Sequence, residues 1–169
     1  MPANAFAVVG QQAAVPLDPG IRDTPADDTR VDLGAYTSSD ERQDHFIERD
    51  GEVFAGTHLI IDFHGAEGLD DLERMERGLR GAVEAAGATL LHIHLHHFTP
   101  NGGISGVAVL AESHISVHTW PERDYAAFDI FMCGDARPEV AAEIITRAFK
   151  PSRRELQTLI RGRFDSNDA

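Results

Sequence analysis

The chain has 169 residues, 42% of them apolar and 25% charged, which is enough for one domain with a core and too few for two large ones. Fifteen Lys and Arg stand against twenty-eight Asp and Glu, a net charge of −13, so the basic patch that nucleic-acid or anionic-membrane binding needs is excluded. A small cationic or zwitterionic partner suits that charge better than a polyanion.

A single cysteine, Cys133, rules out an intrachain disulfide and points to a reducing, cytoplasmic location. No apolar run approaches the ~18 residues that span a bilayer. No basic stretch precedes the apolar residues of Met1–Leu17, so no signal peptide is expected.

Residues 1–54 hold eleven acids against four bases and four of the eight prolines, without sustained periodicity. Pro16, Pro19-Gly20 and Pro25 break any regular element. The segment reads as a disordered acidic extension, with Val31-Asp32-Leu33 its one candidate edge strand. The folded domain spans 55–169 and starts near Gly56. Thr57–Phe63 is β-rich and predicts a strand. A helix follows, with Leu69, Leu72, Met75, Leu79, Val83 and Ala86 on one stripe. Asp70 and Asp71 suit its first turn, and Gly87 is a natural stop.

Thr89–Phe98 alternates, with Leu91, Ile93 and Leu95 on one face and His92, His94 and His96 on the other. Pro100-Asn101-Gly102-Gly103 turns the chain into strands over Ile104–Leu110, Ser113–Trp120 and Tyr125–Phe131. A second helix begins at Pro138, carries Val140, Ala141, Ile144, Ile145 and Ala148 on its stripe, and ends before Pro151. Leu156–Ile160 predicts a last strand. Strands joined by such short turns must pair antiparallel. Two helices cover one face of the sheet, so the fold class is α+β: a two-layer sandwich of an antiparallel sheet with two helices on one face. The other face, with its His, Ser and bulky apolar residues, calls for a second subunit.

Chemistry concentrates between Ser105 and Gly134, where hydroxyls, two imidazoles and the sole thiol occur together. A serine with a nearby imidazole base is the minimum for nucleophilic activation. The stretch Glu112-Ser113-His114, followed by His118-Thr119-Trp120-Pro121-Glu122, Tyr125-Ala126-Ala127 and Cys133-Gly134, with Ser105-Gly106-Val107 upstream, resembles the prokaryotic S-adenosylmethionine decarboxylase proenzyme family. The likeness is close over 104–134, looser over 56–103 and 135–161, and absent from 1–54.

The resemblance implies a pyruvoyl-dependent carboxy-lyase of polyamine synthesis that makes its own cofactor. Ser113 Oγ attacks the carbonyl carbon of Glu112, turning the peptide bond into an ester. His118, whose imidazole is the side chain most often used as a general base, removes the Ser113 α-proton and the ester is eliminated. The cleavage between 112 and 113 leaves dehydroalanine on the downstream chain, which tautomerises and is hydrolysed with loss of ammonia to a pyruvoyl group that binds the substrate amine as a Schiff base. Ser105 assists processing. Cys133 returns a proton to the substrate α-carbon, because a thiol is protonated at neutral pH yet yields its proton readily. Phe98, Trp120 and Glu122 belong to the substrate site, with Phe98 suited to stacking on adenine, Trp120 or Tyr125 to its apolar walls, and aromatic faces to a sulfonium. A homodimer of cleaved protomers, with sites near its interface, is also implied.

Ser113 and His118 are five positions apart, so an undistorted strand points them to opposite faces. Ser113 is therefore expected at a turned strand end, or the strand carries a bulge, and strain before Ser113 would favour cleavage. Three alternatives stay open. Arg123-Asp124 and a longer Pro100–Gly103 turn depart from the family pattern, so ornithine or arginine is the alternative substrate. His92, His94, His96 and His97 raise a metal site, although the implied chemistry requires no metal. A non-cleaving partner subunit is the third.

Overall fold

The computed structural model describes residues 46–164. Strand β1 (Ile47–Arg49) turns through Asp50-Gly51 into β2 (Glu52–His64). Helix α1 (Leu72–Ala86), β3 (Leu90–His97), β4 (Ile104–Leu110) and β5 (Ser113–Trp120) follow. A 3-10 turn (Pro121–Arg123) leads to β6 (Tyr125–Met132), helix α2 (Pro138–Phe149) and β7 (Arg153–Phe164). Strand pairing thus begins at Ile47, ahead of the expected Gly56, while the candidate strand at 31–33 lies outside the described residues.

Every neighbouring strand pair is antiparallel, in the order β7-β2-β6-β5-β4-β3, with β1 folded as a hairpin onto the start of β2. The turns are too short for parallel crossovers, and α1 and α2 pack together on one face. The result is the expected α+β two-layer sandwich. Strand β7 is longer than its apolar centre suggests because it pairs along β2 from His64 back to Val53.

Local chemistry sets the helix ends. Asp71 caps α1, its carboxylate accepting the Arg74 N–H at 2.8 Å, so Asp70 and Asp71 precede the first turn, which Glu73 occupies instead. Gly87, with φ of 77°, ends the helix in the left-handed region. Leu69 is buried ahead of α1 and Leu72 is exposed, leaving Met75, Leu79, Val83 and Ala86 as the buried stripe. From α2, Ala141, Ala142, Ile145 and Phe149 are buried. Phe128 lies between Phe63 and Phe149, with ring centroids 5.2 and 5.8 Å away. Each such ring contributes about 1.5–3 kcal/mol by leaving water.

One strand departs from strict alternation. The β3–β4 register shifts between Leu90 and His92, which makes Leu91 the extra residue of a bulge. Leu90, Ile93 and Leu95 pack on the core and Leu91 is exposed, instead of Leu91, Ile93 and Leu95 sharing the buried face. Gly106 stands opposite Leu95, where a Cβ would collide with the His94 carbonyl. The uncovered face of the sheet carries, by register, every described histidine except His97. Among the described residues, no helix is long and apolar enough to cross a membrane.

Candidate active site

Two residues, Ala111 and Glu112, connect β4 to β5, and Glu112 takes a φ of 60°, a left-handed conformation that disfavours a side chain. Strand β5 then pairs in unbroken register with β4 and β6. Ser113 follows the Ala111-Glu112 turn as the first residue of β5, but neither that turn nor a bulge brings it to the His118 face, because the strand is already regular from Ser113 onward. Ser113 is 8% exposed. Its Oγ accepts the Cys133 N–H at 3.2 Å and lies 3.4 Å from Cys133 Sγ. The same thiol donates to the Glu112 carbonyl oxygen at 3.2 Å, the oxygen of the bond marked for cleavage. Cys133 is held there because β6 ends at Met132 and Gly134 turns the chain away with φ of 57°. The loops after α1 and before α2 close a cavity of about 180 Å³ around Glu112, Ser113 and Cys133.

The other expected residues gather at the far end of β5, on the uncovered face. Ser105 and His118 are cross-strand partners, with Oγ and Nδ1 2.9 Å apart. In the tautomer that donates Nδ1–H to Ser105, His118 Nε2 is free to accept a proton. With Phe98, Trp120, Glu122 and the Pro100–Gly103 turn, this pair lines a cavity of about 370 Å³. Of the two departures from the family pattern, that turn borders the cavity and Asp124 does not. Asp124 closes the 3-10 turn in a left-handed conformation, its N–H bonded to the Pro121 carbonyl at 3.1 Å.

The expected residues therefore fall into two groups that one chain does not unite. Ser113, Glu112 and Cys133 form the first, and Ser105, His118, Phe98, Trp120 and Glu122 the second. Opposite faces and about 17 Å of strand separate Ser113 from His118. Successive imidazoles of β3 stand about 6.6 Å apart. Among the described residues, no group of three His, Cys, Asp or Glu side chains could hold a metal ion.

Between the two groups the uncovered face carries a polar cluster that residue patterns did not single out, although its members occupy the outward positions of three strands. His58 Nε2 lies 3.3 Å from Asp129 Oδ1, and Arg161 reaches His58 Nδ1 at 3.3 Å. His114 stacks on Phe131 at 5.8 Å. Burial, and then the neighbouring His58, hold His114 below the ordinary imidazole value of 6.5, with Asp129 opposing them. Between that lowered value and 6.5 the unfolded chain binds more protons here than the folded one. His114 thus costs no stability above the window and destabilises the fold as pH falls through it. Thermal unfolding followed from about pH 7.5 down to 5 should show this decline, shallower in His114→Gln; an identical slope in the variant would refute it.

Three comparisons bear on these two groups. The model of the family described as S-adenosylmethionine decarboxylase matches residues 57–162. The S-adenosylmethionine decarboxylase proenzyme of Thermomicrobium roseum is 42% identical over 108 residues, 63% of this chain and 93% of that protein. The protein of the same name from Methanococcus maripaludis strain S2 is 45% identical over 116 residues, 67% of this chain and 94% of that one. The crystal structure of the adenosylmethionine decarboxylase from Aquifex aeolicus is similar with a TM-score of 0.60 and 34% identity, covering 66% of this chain and 93% of that one.

Proposed function

The chain belongs to the S-adenosylmethionine decarboxylase family, and from that premise we propose that it is a self-processing carboxy-lyase acting on S-adenosylmethionine. The observation that carries the reading is the contact of Ser113 Oγ with Cys133 beside the strained Glu112. Ser113 is the nucleophile that opens the chain, giving one piece that ends at Glu112 and another that begins at position 113. The Cys133 thiol, bonded to the Glu112 carbonyl oxygen, stabilises the charge that collects there during attack. The left-handed Glu112 keeps strain in the bond to be broken.

The small cavity around Ser113 fits a pyruvoyl group at the head of β5, where it would replace a serine already seated against Cys133. Such a group supplies an electron-withdrawing carbonyl that takes up the charge left when carbon dioxide departs. Cys133 then serves as proton donor to the substrate α-carbon.

His118 is the processing base, held by Ser105, and it works on the Ser113 of a second copy. Support comes from the distance and the opposed faces within one chain, and from an uncovered face rich in partly buried groups. A two-fold dimer placing the Ser105–His118 end of one copy against the Ser113–Cys133 end of the other completes two equal sites. Phe98 and Trp120 then offer rings for the adenine and the sulfonium, and Glu122 a carboxylate for the substrate's polar groups. Asp124, the carboxylate that would favour ornithine or arginine, lies outside the cavity lining. Carbon dioxide release from carboxyl-labelled S-adenosylmethionine, ornithine and arginine separates the substrates. Turnover of S-adenosylmethionine alone is expected, and faster release from either amino acid would overturn the assignment.

A further inference from the structure

Trp120 lines the larger cavity, yet it is 42% exposed and stands at the very end of β5. A ring in that position has rotamer freedom that must be removed before it can serve as a wall. On one side its neighbour is His118, at 6.3 Å between ring centroids. On the other it is Tyr125, its cross-strand partner on β6, at 5.3 Å and 37°. Tyr125 is itself fixed. Its Oη donates to Asp62 Oδ1 at 2.5 Å, a short charge-assisted bond across the β2–β6 ladder. The His64 ring lies 5.3 Å from it, with His64 Nε2 in turn 3.5 Å from Glu155. Neither Asp62 nor Tyr125 borders the cavity.

We propose that Asp62 and Tyr125 are positioning residues: their hydrogen bond locks the Tyr125 ring, which in turn sets the plane of Trp120 in the wall of the substrate cavity. The chain of contact runs from Asp62 on β2, through Tyr125 on β6, to the indole on β5, and ends beside the His118–Ser105 pair. The bond to Asp62, with burial and the nearby carboxylates adding to it, pushes the Tyr125 phenol up to about 12, so it stays a donor throughout the neutral range. Phenylalanine preserves the ring but loses the anchor. The inference rests on the decarboxylase reading for the identity of the ligand, and on geometry alone for the effect on Trp120.

The chain contains one tryptophan, so its fluorescence reports this indole directly. Tyr125→Phe, Asp62→Asn and the double variant are compared with the parent protein for self-cleavage, kcat, KM for S-adenosylmethionine, and acrylamide quenching of Trp120. Complete cleavage, unchanged kcat, a KM raised about five-fold and stronger quenching are expected, the pattern of a lost binding contact. Tyr125→Phe removes the bond and Asp62→Asn leaves only a neutral amide acceptor, so the double variant should match Tyr125→Phe, and Asp62→Asn alone should show the same changes to a smaller extent. Unchanged KM with unchanged quenching would overturn the proposal, as would a fall in kcat at constant KM. Stronger quenching in variants of a chain that decarboxylates nothing would sustain the positioning of Trp120 and refute the decarboxylase reading instead.

Discussion

Ser113→Ala is expected to leave the chain whole and to abolish decarboxylation. In the proposed reaction the nucleophile is a single atom, Ser113 Oγ, and the hydroxyls of Ser105 and Ser116 lie on the opposite face of the sheet. Without that atom the Glu112 carbonyl has no attacker and no carbonyl cofactor forms. Enzymes of this kind supply at least about a million-fold over solution, so activity should fall to background. The cost to folding is small by comparison. Removing Oγ leaves the Cys133 N–H without its acceptor, about 1 kcal/mol, which lowers the unfolding midpoint by a few degrees. A variant that folds, stays as one polypeptide and is inert therefore separates chemistry from stability. A cleaved or active Ser113→Ala protein would remove Ser113 from the account.

The second large effect follows from the separation of Ser113 and His118. His118→Ala should stall at or before elimination, its two parts still joined through the amide or the ester, because no base removes the α-proton. If the base serves the second copy, two inactive variants repair each other. A His118→Ala chain contributes Ser113, and a Ser113→Ala chain contributes His118. Co-expressed in equal amounts, they should yield about a quarter of all chains cleaved, the share of His118→Ala copies in mixed two-fold dimers. Decarboxylation should return with them. Absence of any cleaved chain in mixed dimers, verified by differential tags, would rule out His118 acting across the interface.

Much of this fold is legible in residue order, for identifiable reasons. The stripe at Met75, Leu79, Val83 and Ala86 has helical spacing and ends at Gly87. The turns at Pro100–Gly103 and Ala111-Glu112 are too short for anything but antiparallel pairing. The Leu91 bulge is not legible, since no Gly or Pro marks it and the local alternation reads equally well without it. The start of the sheet at Ile47 is hidden as well. The β1–β2 hairpin draws its stability from β7, whose Phe164 and Arg163 pair with Val53 and Phe54 at the other end of the chain.

The site divides along the same line. Ser113 beside Cys133, and Ser105 beside His118, depend on strand register and loop position; the family resemblance singles out the four residues, and the register of β4 on β5 and the end of β6 decide which of them meet. The odd spacing of five opposes Ser113 and His118 on a regular strand, and neither the expected turn nor a bulge undoes this, because β5 pairs without interruption on both sides. Asp62 meeting Tyr125 is not readable, because it joins residues far apart in the chain through the register of β2 on β6.

Intact-mass measurement of the purified protein tests the central claim most directly. Two polypeptides are expected, one ending at Glu112 and the other starting at position 113. The second should be lighter by one ammonia than its sequence requires and should gain the mass of reduction on treatment with borohydride. A single 18.5 kDa chain, unaltered by hydride, would contradict the account.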